Sequence, residues 1–369
     1  MNKCWRHEKL AKGDLWSNWS RDSSILLSIC IPTFNRGKFI GETLASISAQ
    51  INASIEIVIV DGASTDNTSD VVETFFDSIP NLVYFRGEKN MGVDCDLAKT
   101  VELANGEYCW FMSSDDLIAP NAMNKILSEL RTGVDVYLFN RIDCTLDGRP
   151  TGEQRWLSKS AGDQRYQFKS SESLMRYINS VNTIGAIFSY IPCIVVNKMK
   201  WLGIKGTSQY FGTCYAHVYT LMSILQKGGG LKYVNAPIVM CRMENDSFSS
   251  NGVSGRFLID YRGYMKIANG LFDDSLSKQA FLNVMIREHG FFRLLKLRSS
   301  ITDRSKWAEV ELMLNEYGYN KYIIIISNYL GGVTFLVKMA VLLNDYIKRK
   351  SVIIKFRKIL SDLSQLKQS

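Results

Sequence analysis

Four short, nearly all-apolar runs separated by segments with helical spacing constrain this chain more than any other feature. Leu26 to Ile31 closes at Pro32, Ile55 to Val60 closes at Asp61-Gly62, Leu82 to Phe85 is shorter, and Tyr108 to Met112 stops abruptly at Ser113-Ser114-Asp115-Asp116. Runs that are apolar throughout, rather than alternating, are the pattern of central strands buried on both faces. Between them, Phe39/Ile40, Leu44 and Ile47 lie on one helical stripe. Asp66 stands where it can cap a helix carrying Val71/Val72 and Phe75/Phe76, and Leu97, Val101 and Ala104 make a further stripe with Gly106 placed as a C-terminal cap. A helix bearing Ala122, Ile126/Leu127 and Leu130 then leads to a fifth strand expected over Val134 to Phe139. Such alternation predicts an α/β fold with a mostly parallel sheet covered on both faces.

In sheets of that kind ligands bind outside the carboxyl ends of the strands, near the point where strand order reverses. Three polar clusters follow strands here: Pro32-Thr33-Phe34-Asn35-Arg36, Asp61 to Asp66, and Asp115-Asp116. All three therefore fall on one edge. The adjacent carboxylates have two readings, a solvated turn capping the next helix or a site for a divalent cation, and the shared edge favours the second. No G-x-x-x-x-G-K-[ST] loop is present, and no G-x-G-x-x-G follows the first strand, which argues against P-loop hydrolysis and dinucleotide-dependent hydride transfer. Without a glycine cradle a diphosphate needs a metal. Acidic loops able to accept hydrogen bonds from a base and ribose, beside an Asp pair able to carry Mn²⁺ or Mg²⁺, fit a nucleotide-sugar site.

With 369 residues, 46% of them hydrophobic and 22% charged, the chain can bury a sizeable core. Its eight cysteines are scattered without a C-x-x-C pair, which points to a reducing compartment and away from structural zinc. Residues 1–22 mix three tryptophans with charges and lack the apolar core of a signal peptide, so a cytoplasmic location is expected. The net charge of +8 is local: nine Lys/Arg and two acids between residues 321 and 369 account for +7 of it. There, apolar Tyr322 to Leu343 is interrupted by Ser327-Asn328, Gly331-Gly332 and Lys338, and is followed by Lys348-Arg349-Lys350 and Lys355-Phe356-Arg357-Lys358 among Val352, Ile353, Ile354 and Ile359/Leu360. The interruptions argue against a membrane span. The basic amphipathic pattern suits a helix lying on an anionic cytoplasmic leaflet, with a buried helical pair and a solvated tail as the other reading. No nucleic-acid-binding module accompanies the charge.

Four segments together, Ile29 to Arg36, Val60 to Thr68, Asn90-Met91-Gly92 and Ser113 to Asp116, resemble the family 2 glycosyltransferases of GT-A fold in order and spacing. The resemblance covers roughly residues 25 to 130. It implies an inverting, metal-dependent transferase that uses a nucleoside-diphosphate sugar. It further implies that Pro32, Thr33, Asn35 and Asp61 hold the nucleotide, Asp61 by accepting a hydrogen bond from the base, and that Asp115 and Asp116 meet ribose and metal. Many family members carry Asp-x-Asp-Asp, and Ser113 stands where the first acid would be. Arg36 reaches the diphosphate or simply opens the first helix. Asn90 with Gly92 shapes a turn near the donor.

Family members also use an Asp as general base, in a Glu-Asp pair eleven residues before a Gly. His217 occupies that place relative to Gly228, with Ser223 where an intervening Arg would stand. It is either the base or a histidine packed on a helix among Tyr215, Val218 and Leu221. Glu244 and Asp246, after the apolar strand Ile238 to Cys241, are a second set of carboxylates that could be the base instead, and Arg242 could reach the diphosphate when a loop closes. The chain is most similar to the O-antigen branch of the family, and the His217 region resembles deoxyhexose transferases of the abequosyltransferase type. The organisation expected is an N-terminal extension (1–24), a nucleotide-sugar-binding half (25–140), an acceptor-binding half (141–255) and a helical, membrane-associating C-terminal region (256–369). The acceptor is then a lipid-linked saccharide, reached from the cytoplasmic face of the inner membrane. The absent Glu-Asp pair leaves one alternative, a non-catalytic nucleotide-sugar-binding or scaffold protein of the same fold.

Overall fold

The structure of the protein is a computed structural model, and it describes residues 15–17, 25–79, 81–158, 160–243, 245, 252–301 and 303–331. The basic segment from residue 332 onward, Glu244 and Asp246 lie outside the described residues. After β1 (Leu15–Ser17), the elements β2 (Leu27–Thr33), α1 (Gly37–Ser48), β3 (Ile55–Asp61), α2 (Thr68–Glu73), β4 (Leu82–Arg86), α3 (Val93–Leu103) and β5 (Tyr108–Phe111) alternate as the periodicity predicts. Every residue of β2, β3 and β5 is buried, which is why these strands read as nearly all-apolar runs. Next come β6 (Leu117–Ile118), α4 (Ala122–Leu130), β7 (Val136–Cys144), β8 (Pro150–Gln154), β9 (Gln164–Gln167), α5 (Ser171–Ser180), β10 (Ile194–Asn197), α6 (Lys198–Leu202), α7 (Ala216–Gln226) and β11 (Gly230–Arg242). Five further helices follow: α8 (Gly252–Leu271), α9 (Ser275–Glu288), α10 (Phe291–Ser300), α11 (Arg304–Glu316) and α12 (Lys321–Gly331).

The sheet runs β1-β4-β3-β2-β5-β10-β7-β11-β6, with β8 on β7 and β9 on β11. Its first part, β4-β3-β2-β5, is parallel. The expectation of a mostly parallel sheet fails beyond β5, and the sheet is mixed. β10 enters antiparallel between β5 and β7, so that Val195 lies opposite both Trp110 and Tyr137. β11 is parallel to β7 but antiparallel to β6 and β9. The β7–β11 register slips on both sides of Pro237, which has no N–H to give to a ladder.

Two smaller expectations also change. The fifth strand begins at Val136 rather than Val134 and continues to Cys144. Gly106 does not cap α3, whose C-terminal cap is Ala104. Gly106 is small because the chain passes β2 closely there: a Cβ would lie 2.5 Å from Ser28 Oγ, and its N–H donates to that oxygen at 2.8 Å. Beneath it, the buried Glu56 carboxylate accepts from Ser28 Oγ at 2.5 Å and from the Asn105 side chain at 3.1 Å, tying the α3–β5 link to the sheet.

The described residues within 1–247 and 259–285 form one compact unit, and those within 248–258 and 286–369 form another. The second is helical, with Leu294, Leu295, Leu297, Trp307, Val310, Leu314 and Ile324 buried. In it His289 is buried against Phe257, and burial pushes its pKa down to about 3, in keeping with a packing role. No helix among the described residues is long and apolar enough to cross a membrane. Six described cysteines are free, and Cys95 is disulfide-bonded, where the scattered cysteines of the sequence point to a reducing compartment.

Candidate active site

The carboxyl ends of β2 and β3 lie side by side, with Thr33 in register with Asp61. Asp61 is fully buried, so its charge needs donors. One oxygen accepts from the Ser64 N–H at 2.7 Å and the other from the Tyr84 hydroxyl at 2.6 Å. Burial and the neighbouring Asp61 charge push the Tyr84 phenol well up, so it stays a donor. Asn35 takes the left-handed conformation at φ 52° that Asn tolerates. It laces the two loops together, its N–H donating to Ser64 Oγ and its Oδ1 accepting from the Thr65 N–H, both at 2.8 Å. Asp66 accepts from the Gly37 N–H and the Thr68 N–H at 3.0 Å each, so the residue read as a cap for one helix serves the start of two.

Two buried oxygens beside this turn have no hydrogen-bond partner among the described residues, Thr33 Oγ1 and Asp96 Oδ1. Asp96, on α3, packs over Gly62, where a Cβ would come within 2.7 Å of its other oxygen. Burial, reinforced by the charge of Asp61, pushes its pKa up to about 7. Asn90 accepts from the Gly92 N–H at 2.8 Å, the turn-shaping role expected, and its Oδ1 also faces Gly62.

At the end of β5 the two adjacent carboxylates are held differently. Asp116 is 4% exposed. Its Oδ2 accepts from Ser113 Oγ and the Tyr190 hydroxyl, both at 2.5 Å, its Oδ1 from the Arg242 N–H at 2.9 Å, and its carbonyl from Thr43 Oγ1 at 2.8 Å. Ser113 is thus a donor to the Asp116 carboxylate. Asp115 is more open, with 15% of its side chain exposed; Asn245 Nδ2 at 2.8 Å and Arg36 Nε at 3.5 Å both meet its Oδ2. Burial and the Asp116 charge push its pKa up to about 6, against the pull of Arg36.

The structure thus brings Arg36, Asp115, Asp116 and Arg242 into one cluster. Arg242 does not project freely: its guanidinium donates to the Asp115 carbonyl at 2.6 Å and the Leu146 carbonyl at 2.9 Å, and pairs with Glu42. No hydrogen bond among the described residues joins His217 to this cluster. It is buried near the start of α7 with Nε2 2.9 Å from the Phe188 carbonyl, and burial pushes its pKa down to about 4. Tyr190, Asn245, Asp94 and Asp96 are site residues that sequence reasoning missed. Of these Asp94 carried a visible signal, because it lies at helical spacing from Leu97 and Val101, on the face of α3 that their stripe assigns to the interior, whereas Asp96 lies off that stripe. Asp94 collects backbone N–H groups of Gly212, Cys214 and Ala216 at 2.9, 2.8 and 3.1 Å, and so fixes the approach to α7.

An α/β sheet whose carboxyl edge gathers a buried acid, an Asp pair and two arginines has the form of a nucleotide-sugar-dependent transferase. The sequence model described as glycosyl transferase family 2 matches residues 28–191. Across 332 residues the chain is 32% identical to abequosyltransferase RfbV of Salmonella typhimurium strain LT2, covering 88% of this chain and 99% of that protein. The chain therefore belongs to glycosyltransferase family 2. It is also 32% identical over 239 residues to the putative teichuronic acid biosynthesis glycosyltransferase TuaG of Bacillus subtilis strain 168, covering 64% of this chain and 84% of the relative. Among solved structures, S. aureus TarS 1–349 in complex with UDP-GlcNAc has the same GT-A fold, with a TM-score of 0.59 at 17% identity over 90% of this chain and 92% of that one.

Proposed function

We propose that this glycosyltransferase moves a sugar, with inversion, from a nucleoside-diphosphate donor to a hydroxyl of a lipid-linked saccharide during assembly of a surface polysaccharide such as an O-antigen. The identity with an abequosyltransferase over nearly the whole of both chains supports a deoxyhexose as the sugar. The observation that carries the reading is the difference at the end of β5, where the Asp116 carboxylate accepts from Ser113, Tyr190 and the Arg242 N–H while the more open Asp115 is met at its Oδ2 by Asn245 and Arg36. In this reading Thr33, Asn35 and Asp61 face the nucleoside, Pro32 shapes the end of β2, Asn90 shapes the neighbouring turn, and Arg36 faces the diphosphate. Arg242 acts from behind, holding the Asp115 carbonyl.

Hard oxygen donors suit Mn²⁺ or Mg²⁺. Among the described residues no group of three or more His, Cys, Asp or Glu forms a closed cage. Asp115, the more open carboxylate, would hold such an ion, with Asp116 orienting that corner of the site. Such an ion neutralises charge developing on the departing diphosphate. The protein's own groups do the rest: Arg36 adds positive charge beside Asp115, and the buried Asp61 accepts from the base. The acceptor hydroxyl must lose a proton to a base; His217 has the spacing for that place, but its Nε2 lies against the Phe188 carbonyl.

The test is turnover of CDP-, UDP-, GDP- and dTDP-sugars with and without Mn²⁺, with the anomeric configuration of the product read by NMR. No transfer from any donor, or a retained configuration, would sink the reading.

Membrane attachment is the second part of the proposal, on the cytoplasmic face of the inner membrane. Along α12, Tyr322, Ile325, Ile326 and Tyr329 are all exposed at the spacing of one helix face, and the basic C-terminal sequence follows. Flotation with phosphatidylglycerol vesicles, lost on phosphatidylcholine alone and weakened by Ile325→Ser with Tyr329→Ser, is the expected result.

A further inference from the structure

The connection from α5 to β10 contains a costly residue. Phe188 is fully buried and sits at φ 71°, ψ 27°, a left-handed conformation that bulky side chains avoid. Such a residue persists only where its surroundings hold it. The Phe188 N–H donates to the Gly185 carbonyl at 3.0 Å, and the Ser189 N–H to the Ile184 carbonyl at 3.0 Å, closing the short turn of 3₁₀-helix Ile184–Ile187. The one side-chain contact described for the Phe188 carbonyl is His217 Nε2, at 2.9 Å. A carbonyl only accepts, so that nitrogen carries the proton. Two residues later the chain delivers Tyr190, whose hydroxyl meets Asp116 Oδ2 at 2.5 Å and whose ring lies 4.4 Å beneath the Arg141 guanidinium.

We infer that His217 is a positioning residue: by holding the Phe188 carbonyl it fixes the turn from which Tyr190 keeps Asp116 in place. The inference rests on the reading of Asp115 and Asp116 as the diphosphate and cation end of the site. It replaces a chemical role for the imidazole with a mechanical one, and the geometry favours it on two grounds. The Nε2 proton is committed to a backbone carbonyl, and the buried ring has no carboxylate partner among its described hydrogen bonds to stabilise the imidazolium that a base must become. A positioning role needs only an N–H at that point, which a glutamine amide also supplies.

The test compares wild type with His217→Gln, His217→Leu, Tyr190→Phe and the double variant His217→Leu/Tyr190→Phe. Mn²⁺ affinity is measured by electron paramagnetic resonance in the presence of inorganic diphosphate, and thermal unfolding confirms that each variant is folded. His217→Leu and Tyr190→Phe are each expected to weaken Mn²⁺ binding about tenfold, with the double variant no worse than either, because both act through one path. His217→Gln should stay within about threefold of wild type on the same grounds. Additive losses, or a His217→Gln variant as weak as His217→Leu, would overturn the inference. Asp115→Asn separates the two layers: if it leaves Mn²⁺ affinity unchanged, the cation reading of the site fails. The ring itself is read independently. Long-range ¹H–¹⁵N spectra of this three-histidine protein should give His217 as the Nε2–H tautomer, without titration between pH 5.5 and 8; an Nδ1–H tautomer would refute the contact.

Discussion

The two ends of the site are built on the same principle but from different lengths of chain. At the nucleoside end, Asp61 finds its donors 3 and 23 residues away, in Ser64 and Tyr84. At the diphosphate end, Asp116 takes one donor from 3 residues away and the others from 74 and 126 residues away, in Tyr190 and Arg242. A buried carboxylate must be satisfied in either case. The first end is therefore complete once the early βαβ units form, and the second only when the antiparallel part of the sheet closes over it.

The strongest way to break that contrast is Asp116→Asn. The substitution keeps shape but removes the charge that gathers Ser113, Tyr190 and Arg242, and transfer is expected to fall by about 10³-fold or more, roughly 4 kcal/mol. A loss below tenfold in steady-state kcat/KM would mean that the second half does not support the chemistry through this residue. Asp96→Asn probes the other end through stability. Asp96 has a folded pKa of about 7 against an ordinary value near 3.9, so the native state binds the extra proton and wild-type stability falls as pH rises from about 4 to 7. The asparagine variant lacks that term. Its stability relative to wild type in urea should rise across this window by on the order of 4 kcal/mol, and a flat difference would show that Asp96 titrates normally.

Asp61→Asn sharpens the contrast further, since its partners are local and the fold should survive. The expected loss is about 100-fold, roughly 2.7 kcal/mol, and it should fall on donor KM rather than kcat. The smallest effect is expected at Asp66→Ala, which frees the Gly37 and Thr68 N–H groups near the surface and costs about 1 kcal/mol of stability with little change in turnover. Equal damage from Asp61→Asn and Asp66→Ala would dissolve the distinction between donor contact and helix cap.

The same difference in chain length explains what was legible in the sequence. β2, β3, β4 and β5 each announce themselves by local periodicity, and the loops that follow them carry their own turn residues, so local pattern is enough to place Asn35, Asp61 and the Asp pair on one sheet edge. β10 is not legible in that way, because Ile194 to Asn197 is a short apolar stretch whose antiparallel direction depends on Trp110 and Tyr137 far away in the chain. Tyr190 is hidden for a related reason: a tyrosine in an apolar segment reads as core, and only folding sets its hydroxyl against Asp116. Arg242 stands out as a cation, but its engagement with Glu42 and with the carbonyls of Asp115 and Leu146 follows from tertiary closure alone.

Asp94 has a consequence for the order of assembly. The backbone groups it collects lie 118 to 122 residues further along the chain, so this one carboxylate closes a very long loop. Loop closure on that scale must be met from chain entropy before its contacts can repay it. The start of α7 can settle only after α3 is seated on β2 and β3, and with α7 comes the residue that steadies Phe188. That order would make the parallel half the folding nucleus, with high φ-values expected for variants of β2, β3 and α3 and low ones for β10 and α7.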